Sequence, residues 1–519
     1  MEHLDINRRM GNSLPMLCAR RTLIPLLALL LFAAPPAVAQ DLAEFESRVT
    51  EFTLDNGLKF LVLERHEAPV VTCYTHANVG AVDEVKGITG LAHLFEHMAF
   101  KGTESIGTKD HKAEARLMAK MDETFQAIKL EQRKTGGPDE QRLAELREQL
   151  REAQQETQQY LVHDEFDEIL KRAGGVGLNA GTSSDYTVYF VNLPSNKLEL
   201  WMLLEADRFG SPVLREFYKE KNVVMEERRQ RTENYPVGKL LEEFLAAAYK
   251  AHPYGEPIVG HMSDLETLTR AEAQAFFEQY YCPSNLTIAI VGDVDPDDVR
   301  TFARKYFGRI PPRPKPDPVE TVEPPQQGQR RVTIEDPAQP FVLIGYHKPD
   351  VLHPDNAVFD AITDIVGTGR TSRLYKTLVK DKKIAAYASG FQGMPGDKYP
   401  GLFLFYAVPA PGHTNEESEE AIYEQINRLR DELVSDEELA KAKTRARAGL
   451  IRQLDSNSGL AGQLTYYEVM TGDWRNLFRQ LEQIDKVTAE DVQRVARTYF
   501  TTKNKTVGVI QTTASEKES

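Results

Sequence analysis

Cysteine is nearly absent from this chain: Cys18, Cys73 and Cys282 are the only three in 519 residues, and no two have C-x-x-C spacing. That excludes a disulfide framework and a cysteine-built zinc or redox site, so a bound metal would have to be held by histidine and carboxylates. Positive charge is also short, with 63 Lys+Arg against 78 Asp+Glu and a net charge of -15. Nucleic acids and anionic membranes are recognised by clustered Lys and Arg, so neither is an expected partner. Beyond residue 39 no stretch approaches the roughly 18 consecutive apolar residues that a spanning helix needs. Stable membrane insertion is therefore not expected.

What is present begins with an export signal. Arg20 and Arg21 precede an apolar run from Leu23 to Ala34, and Ala37-Val38-Ala39 precedes Gln40. This is the order of a secretory signal peptide over residues 1–39. Its removal takes four Arg, one Asp and one Glu, leaving a mature chain at -17. The mature protein is expected beyond the inner membrane, in the periplasm.

Length asks for more than one hydrophobic core, and self-comparison shows how the chain is divided. At a constant offset of 219, Leu268–Val291 aligns with Val487–Ile510: Thr269 meets Thr488, Gln274 meets Gln493, Tyr280 meets Tyr499, Asn285 meets Asn504 and Thr287 meets Thr506. Both copies read as a Thr N-cap, an amphipathic helix, a polar turn and an apolar strand. Between them, proline-dense residues 311–329 exclude helix and central strand and predict an extended tether. Strand-like text opens each half: apolar segments flank Asp55-Asn56-Gly57 in the first, and RVTIED and FVLIGYH start the second. The predicted class is α+β, with two homologous lobes, 48–310 and 330–512, each a mixed or antiparallel sheet covered by helices, and a tail 513–519. Residues 111–160 are rich in Ala, Glu, Lys, Gln, Leu and Arg around a break at 135–140. They predict a helical hairpin inserted in the first lobe, solvated on its outer face.

The sharpest chemical signal is Leu91-Ala92-His93-Leu94-Phe95-Glu96-His97-Met98. His93 and His97, four apart on a helix, offer two imidazoles to one tetrahedral metal, while Glu96 stands close enough to handle a water proton without being a ligand. A catalytic zinc wants a third protein ligand, and the carboxylate-rich segment from Glu220 to Arg229 supplies candidates. Glu220 and Glu227 are two helical turns apart and share a face; spacing alone does not choose between Glu226 and Glu227.

GLAHLFEHMAFKGT, the stretch from Gly174 to Thr187, NVVMEERR, His252-Pro253-Tyr254-Gly255 and Tyr280–Asn285 with Val291-Gly292-Asp293 together resemble the pitrilysin or insulinase family of inverted zinc metallopeptidases. The resemblance covers residues 48–511 and is strongest to the family's short, two-domain branch. It implies one zinc per chain, held by His93, His97 and Glu227, with Glu220 supporting a histidine and Glu96 as general base. It also implies that Asn179 and Ala180 lie on an edge strand that pairs with the peptide substrate, and that the second lobe holds no metal. In that lobe the family's Arg and Tyr contribute to substrate binding and transition-state stabilisation; here Tyr387 is present but the Arg position is Lys380, which keeps charge and loses the planar fork of donors. The implied activity is that of an exported zinc endopeptidase acting on peptides or small unfolded polypeptides. Its rival is a non-catalytic scaffold, because the family includes inactive subunits that pair with an active chain, and a second copy or an inactive homologue is the expected type of partner. A zinc-storage protein would need a fourth ligand, which no neighbouring motif supplies. His97 and Glu227 stand 130 residues apart, more than the family's usual interval, and hairpin 111–160 accounts for the excess provided it projects outward.

Overall fold

A computed structural model describes residues 45–513. The export signal and all but the first residue of the tail lie outside them. The first sheet uses β1 (Val49–Thr53), β2 (Lys59–Glu64), β3 (Val70–Ala77), β4 (Val176–Thr182), β5 (Thr187–Pro194) and β6 (Leu286–Gly292), in the order β1-β2-β6-β3-β5-β4. The second uses β7 (Arg330–Asp336), β8 (Phe341–His347), β9 (Ala385–Met394), β10 (Leu402–Pro409) and β11 (Lys505–Thr512), in the order β7-β11-β8-β10-β9. In each, the last strand runs parallel to one early strand and antiparallel to the next. The sheets are therefore two versions of one topology. β4 and β9 are the matching free edges.

The repeated residues do the same work in both copies. Thr269 and Thr488 each close a capping box with the acidic residue three positions on, Glu272 and Asp491. The Asn285 side-chain amide donates to the carbonyls of Tyr280 and Asn78, at 2.9 and 3.0 Å. Asn504 donates to those of Tyr499 and His347, at 2.9 and 2.8 Å. Each Asn thus ties the end of a helix to the neighbouring strand, which is why the repeat keeps it.

The lobes trade one helix each. Helix Pro236–Ala248 lies on β7 and β11 of the second sheet, burying Leu240 and Phe244 against Leu343, Leu404 and Ile510. Helix Asn457–Thr471 lies on β3 and β6 of the first sheet, burying Leu460, Ala461 and Leu464 against Leu61, Ala289 and Val291. Their first residues, 236 and 457, are 221 apart, close to the repeat offset. Glycines make room where the helix presses on the second sheet: a Cβ at Gly345 would sit 2.7 Å from Phe244. Residues 311–329 carry neither helix nor strand, and Glu323 of this segment accepts from the amides of Lys250, Ala251 and His252 at 2.8 to 3.1 Å.

Helices His111–Gln132 and Glu140–Thr157 form the hairpin. It does not simply project outward. Met118, Met121, Phe125 and Ile128 join the first lobe's core, Phe125 packs on Tyr218 at 4.6 Å between ring centres, and Asp122 accepts from the Tyr218 hydroxyl at 2.9 Å. The apolar positions of its first helix, spaced three and four apart, give it an inner face that its polar composition hid. Among the described residues no helix is long and apolar enough to cross a membrane.

Candidate metal centre

Helix Leu91–Met98 starts at Gly90, whose φ of 90° suits glycine. Buried Glu84 satisfies its first amides, accepting from Gly90 and Ala92 at 2.7 Å each. Leu91, Leu94, Phe95 and Met98 face the core, where Phe95 stacks on Phe277 and packs at a tilt against Tyr281. That anchoring turns His93, Glu96 and His97 toward helix Phe217–Arg228.

The facing helix is fixed with equal firmness. Val224 is fully buried, and Arg228 donates to Glu242 and to the Gly260 carbonyl at 2.7 to 3.0 Å. Glu227 Oε2 then lies 3.6 Å from His93 Nε2 and 3.5 Å from His97 Nε2. These three side chains are the one group among the described residues with metal-holding geometry. Two nitrogens and an oxygen at metal distances of about 2.0–2.2 Å around a tetrahedral zinc stand about 3.3–3.6 Å apart. The observed separations match that, and they exceed good hydrogen-bond lengths. The donor set fits zinc. Glu226, one residue back, is exposed and pairs with Arg229 at 3.1 Å.

Surrounding groups aim the three. Arg231 holds the other Glu227 oxygen at 2.5 Å. Glu220 Oε2 lies 3.6 Å from His97 Nδ1, and its Oε1 is 2.7 Å from Lys101 Nζ. Burial pushes His93 down to about 4, so it is neutral and ready to donate an electron pair. Burial also opposes charge on His97, but Glu220 and Glu227 outweigh it and lift the imidazole to about 9. Glu220 is likewise disfavoured by burial, yet His97 and Lys101 bring it down to about 2. A proton on His97 thus neutralises part of an anionic pocket, a role that a dication held there would take over.

Glu96 stands apart from the three. Its Oε2 accepts from the Thr182 hydroxyl at 2.6 Å, and burial raises its pKa against that hydrogen bond. Thr182 ends β4, so the carboxylate is tied to the free edge of the first sheet. On this strand Asn179 is exposed and Ala180 packs toward the core. The second lobe's Tyr387 and Lys380 are not drawn into the cluster. Tyr387, 51% exposed on edge strand β9, stacks on Tyr406 at 5.6 Å, and Lys380 is exposed on the π-helical turn before it.

Thr182, Lys101 and Arg231 were not foreseen from the sequence. Thr182 lies two residues beyond Ala180, so strand alternation places both on one face. Arg231 lies four residues after Glu227, within reach on a helical path. Lys101 had no such signal. Its loop is shaped by Arg215, which is 2% exposed and donates to the carbonyls of Lys101, Thr103 (2.7 Å) and Ile106 (2.8 Å) and to buried Glu114 (2.9 Å). Arg215→Met removes those bonds and strands the Glu114 charge, so it should cost about 3–5 kcal/mol. Thermal melting of the zinc-loaded protein checks this; an unchanged midpoint would show that the pair carries no such burden.

The chain belongs to the insulinase family, peptidase family M16: that family's model matches residues 59–132 and 151–261, and its "peptidase M16 inactive domain" model matches 267–446. The first match skips the tip of the hairpin and much of its second helix. The zinc protease PqqE of Helicobacter pylori is 30% identical over 456 residues, covering 86% of this chain and 89% of that one. A solved protease from Helicobacter pylori superposes with a TM-score of 0.74 at 29% identity, covering 89% of this chain and 99% of that one. A solved peptidase M16 inactive domain from Pseudomonas fluorescens shares the fold, with a TM-score of 0.69 at 20% identity over 90% of this chain and 98% of its own.

Proposed function

We propose that this chain is an exported, zinc-dependent endopeptidase acting on extended peptides or small unfolded polypeptides. The observation that carries the reading is the grouping of His93, His97 and Glu227, with Glu227 at tetrahedral-edge distances from both histidines and Glu96 apart from the three and bonded to a free strand edge. His93, His97 and Glu227 hold one zinc, while Glu220 orients His97 through Nδ1 and Arg231 orients Glu227. Bound there, zinc supplies a Lewis acid for the scissile carbonyl and lowers the pKa of water to about 7. Glu96 takes the proton of the attacking water on its carboxylate and returns it to the leaving amine nitrogen. The free edge of β4, at Asn179 and Ala180, pairs backbone to backbone with the peptide, which selects extended chains over particular sequences. Tyr387 and Lys380 of the second lobe are substrate contacts, with Tyr387 offering its hydroxyl to the developing oxyanion. Residues 1–39 direct export to the periplasm and are removed.

The complete set of His93, Glu96, His97 and Glu227 favours an enzyme over a scaffold. Lys380 in place of arginine is the feature that favours a second chain, a copy or an inactive homologue, as an aid to catalysis. Zinc content measured beside cleavage of an unstructured peptide library, with and without a chelator, tests both. Cleavage should vanish on chelation and return with added zinc. Cleavage that survives complete zinc removal would overturn the mechanism, and a zinc-loaded chain that cleaves nothing alone would point to the partner.

A further inference from the structure

Two sequence stretches that the peptidase chemistry leaves without a role meet at the boundary between the lobes. Residues 182–186, Thr-Ser-Ser-Asp-Tyr, turn β4 into β5, and His252-Pro253-Tyr254-Gly255 follows the traded helix Pro236–Ala248. Asp185 is 2% exposed and Tyr254 1%. The Tyr254 hydroxyl donates to Asp185 Oδ1. Asp185 Oδ2 accepts from the backbone amides of Asp397 and Lys398, at 2.8 and 3.2 Å, and the Tyr399 amide donates to the Tyr254 hydroxyl at 3.2 Å. Three consecutive amides of the second lobe's β9–β10 turn therefore sit on one buried carboxylate–phenol pair of the first lobe. Gly396 permits the approach, since a Cβ there would lie 2.2 Å from Asp185 Oδ2 and 2.6 Å from the Tyr254 hydroxyl oxygen.

A buried carboxylate is costly unless every oxygen finds donors. Here it finds three, so this contact is a built one and releasing the turn would strand the charge. The other side of the β4–β5 turn is clamped as well: the Ser183 and Ser184 carbonyls accept from the amides of Ala81 and Val82, at 3.2 and 2.9 Å. Thr182, which bonds Glu96, is three residues from Asp185. The second lobe thus reaches the Glu96 carboxylate through one short, fixed turn.

We infer that Asp185 is a positioning residue: by seating the 396–399 turn of the second lobe on the first, it fixes the strand end that sets Thr182 against Glu96. The lobe without metal ligands then helps aim the general base. This rests on the peptidase reading above. Asp185→Asn keeps the volume but faces an amide group toward donors, and should lower kcat about 10–100-fold with zinc content and KM little changed, as misplacement of a catalytic group does. Thr182→Val should act similarly, and the double variant should lose no more than the worse single one, because both cut the same path. Gly396→Ala, which presses on the pair from the other lobe, should share the loss.

Multiplicative losses in the double variant, wild-type kcat in Asp185→Asn, or zinc loss matching the activity loss would each overturn the inference. Amide hydrogen exchange provides a readout free of activity. In the zinc-loaded wild type the Asp397 and Lys398 amides should exchange slowly, and in Asp185→Asn they should speed up while the core of β10 stays protected. Fast exchange in the wild type would dismiss the latch even if the enzyme cleaves well. A wild type that is protected there but cleaves nothing alone would instead uphold the latch and point to the partner-dependent alternative to the peptidase reading.

Discussion

Glu96→Gln is expected to keep wild-type zinc content and lose about 10²–10⁴-fold in kcat, the usual worth of a general base. The separation follows from geometry. Glu96 is outside the group of three that face one another, and its own partner is Thr182, at 2.6 Å. Glutamine has the same shape and can still accept from that hydroxyl, so neither the ligands nor β4 should move. What it cannot do is take up a proton. The wild-type carboxylate is half-buried, and burial raises its proton affinity, which brings an ordinarily weak base nearer to working pH. Parallel assays of bound zinc, melting temperature and peptide turnover check the result. Near-normal turnover in a fully zinc-loaded variant would remove Glu96 from the role, whereas a joint loss of zinc and activity would make it a structural support of the ligands.

How much of this could be read from the sequence depended on range. His93, Glu96 and His97 were legible because their spacing is set along one short helix, and the pairing of Asn285 with Asn504 was legible because a repeat carries its own control, although the carbonyls they bond were not. Between Glu226 and Glu227 spacing did not choose, and only the family resemblance named Glu227. Glu226 and Glu227 differ by about 100° around one helix, and only the anchoring of Val224 and Arg228 against the rest of the lobe decides which carboxylate faces the histidines. The traded helices were hidden for a similar reason: Leu240 and Phe244 mark an apolar face, but nothing local says which sheet it covers. The hairpin's outer face read as solvated from its charge, and its inner face went unread because Met118, Met121 and Phe125 are few among many charged residues. Asp185 and Tyr254 each stood in a recognisable stretch, yet they bond each other across 69 residues and Asp185 takes its other donors from a turn 212 residues further along the chain.

The choice between neighbouring glutamates gives the second large effect. Glu227→Gln should weaken zinc binding by well over the roughly 10–100-fold that loss of an outer supporting group costs, Glu220→Gln should fall within that range, and Glu226→Gln should leave affinity unchanged. Glu227 Oε2 is 3.5–3.6 Å from both Nε2 atoms, so in the proposed site it would supply a donor atom and the negative charge that offsets the cation. An amide oxygen keeps neither the charge nor the pairing with Arg231, which would then repel zinc. Glu220 meets His97 only at Nδ1 and shares its charge with Lys101, so its removal loosens a ligand without deleting one. Glu226 is spent on exposed Arg229, a pair worth about 0–1 kcal/mol and remote from the metal face. Competition titration with a zinc chelator measures all three variants on one scale. Equal dissociation constants for the Glu226 and Glu227 variants would strip Glu227 of its place, and a Glu220 variant as weak as that of Glu227 would mean that zinc is held by two carboxylates and that the helix Phe217–Arg228 presents its full face to the metal.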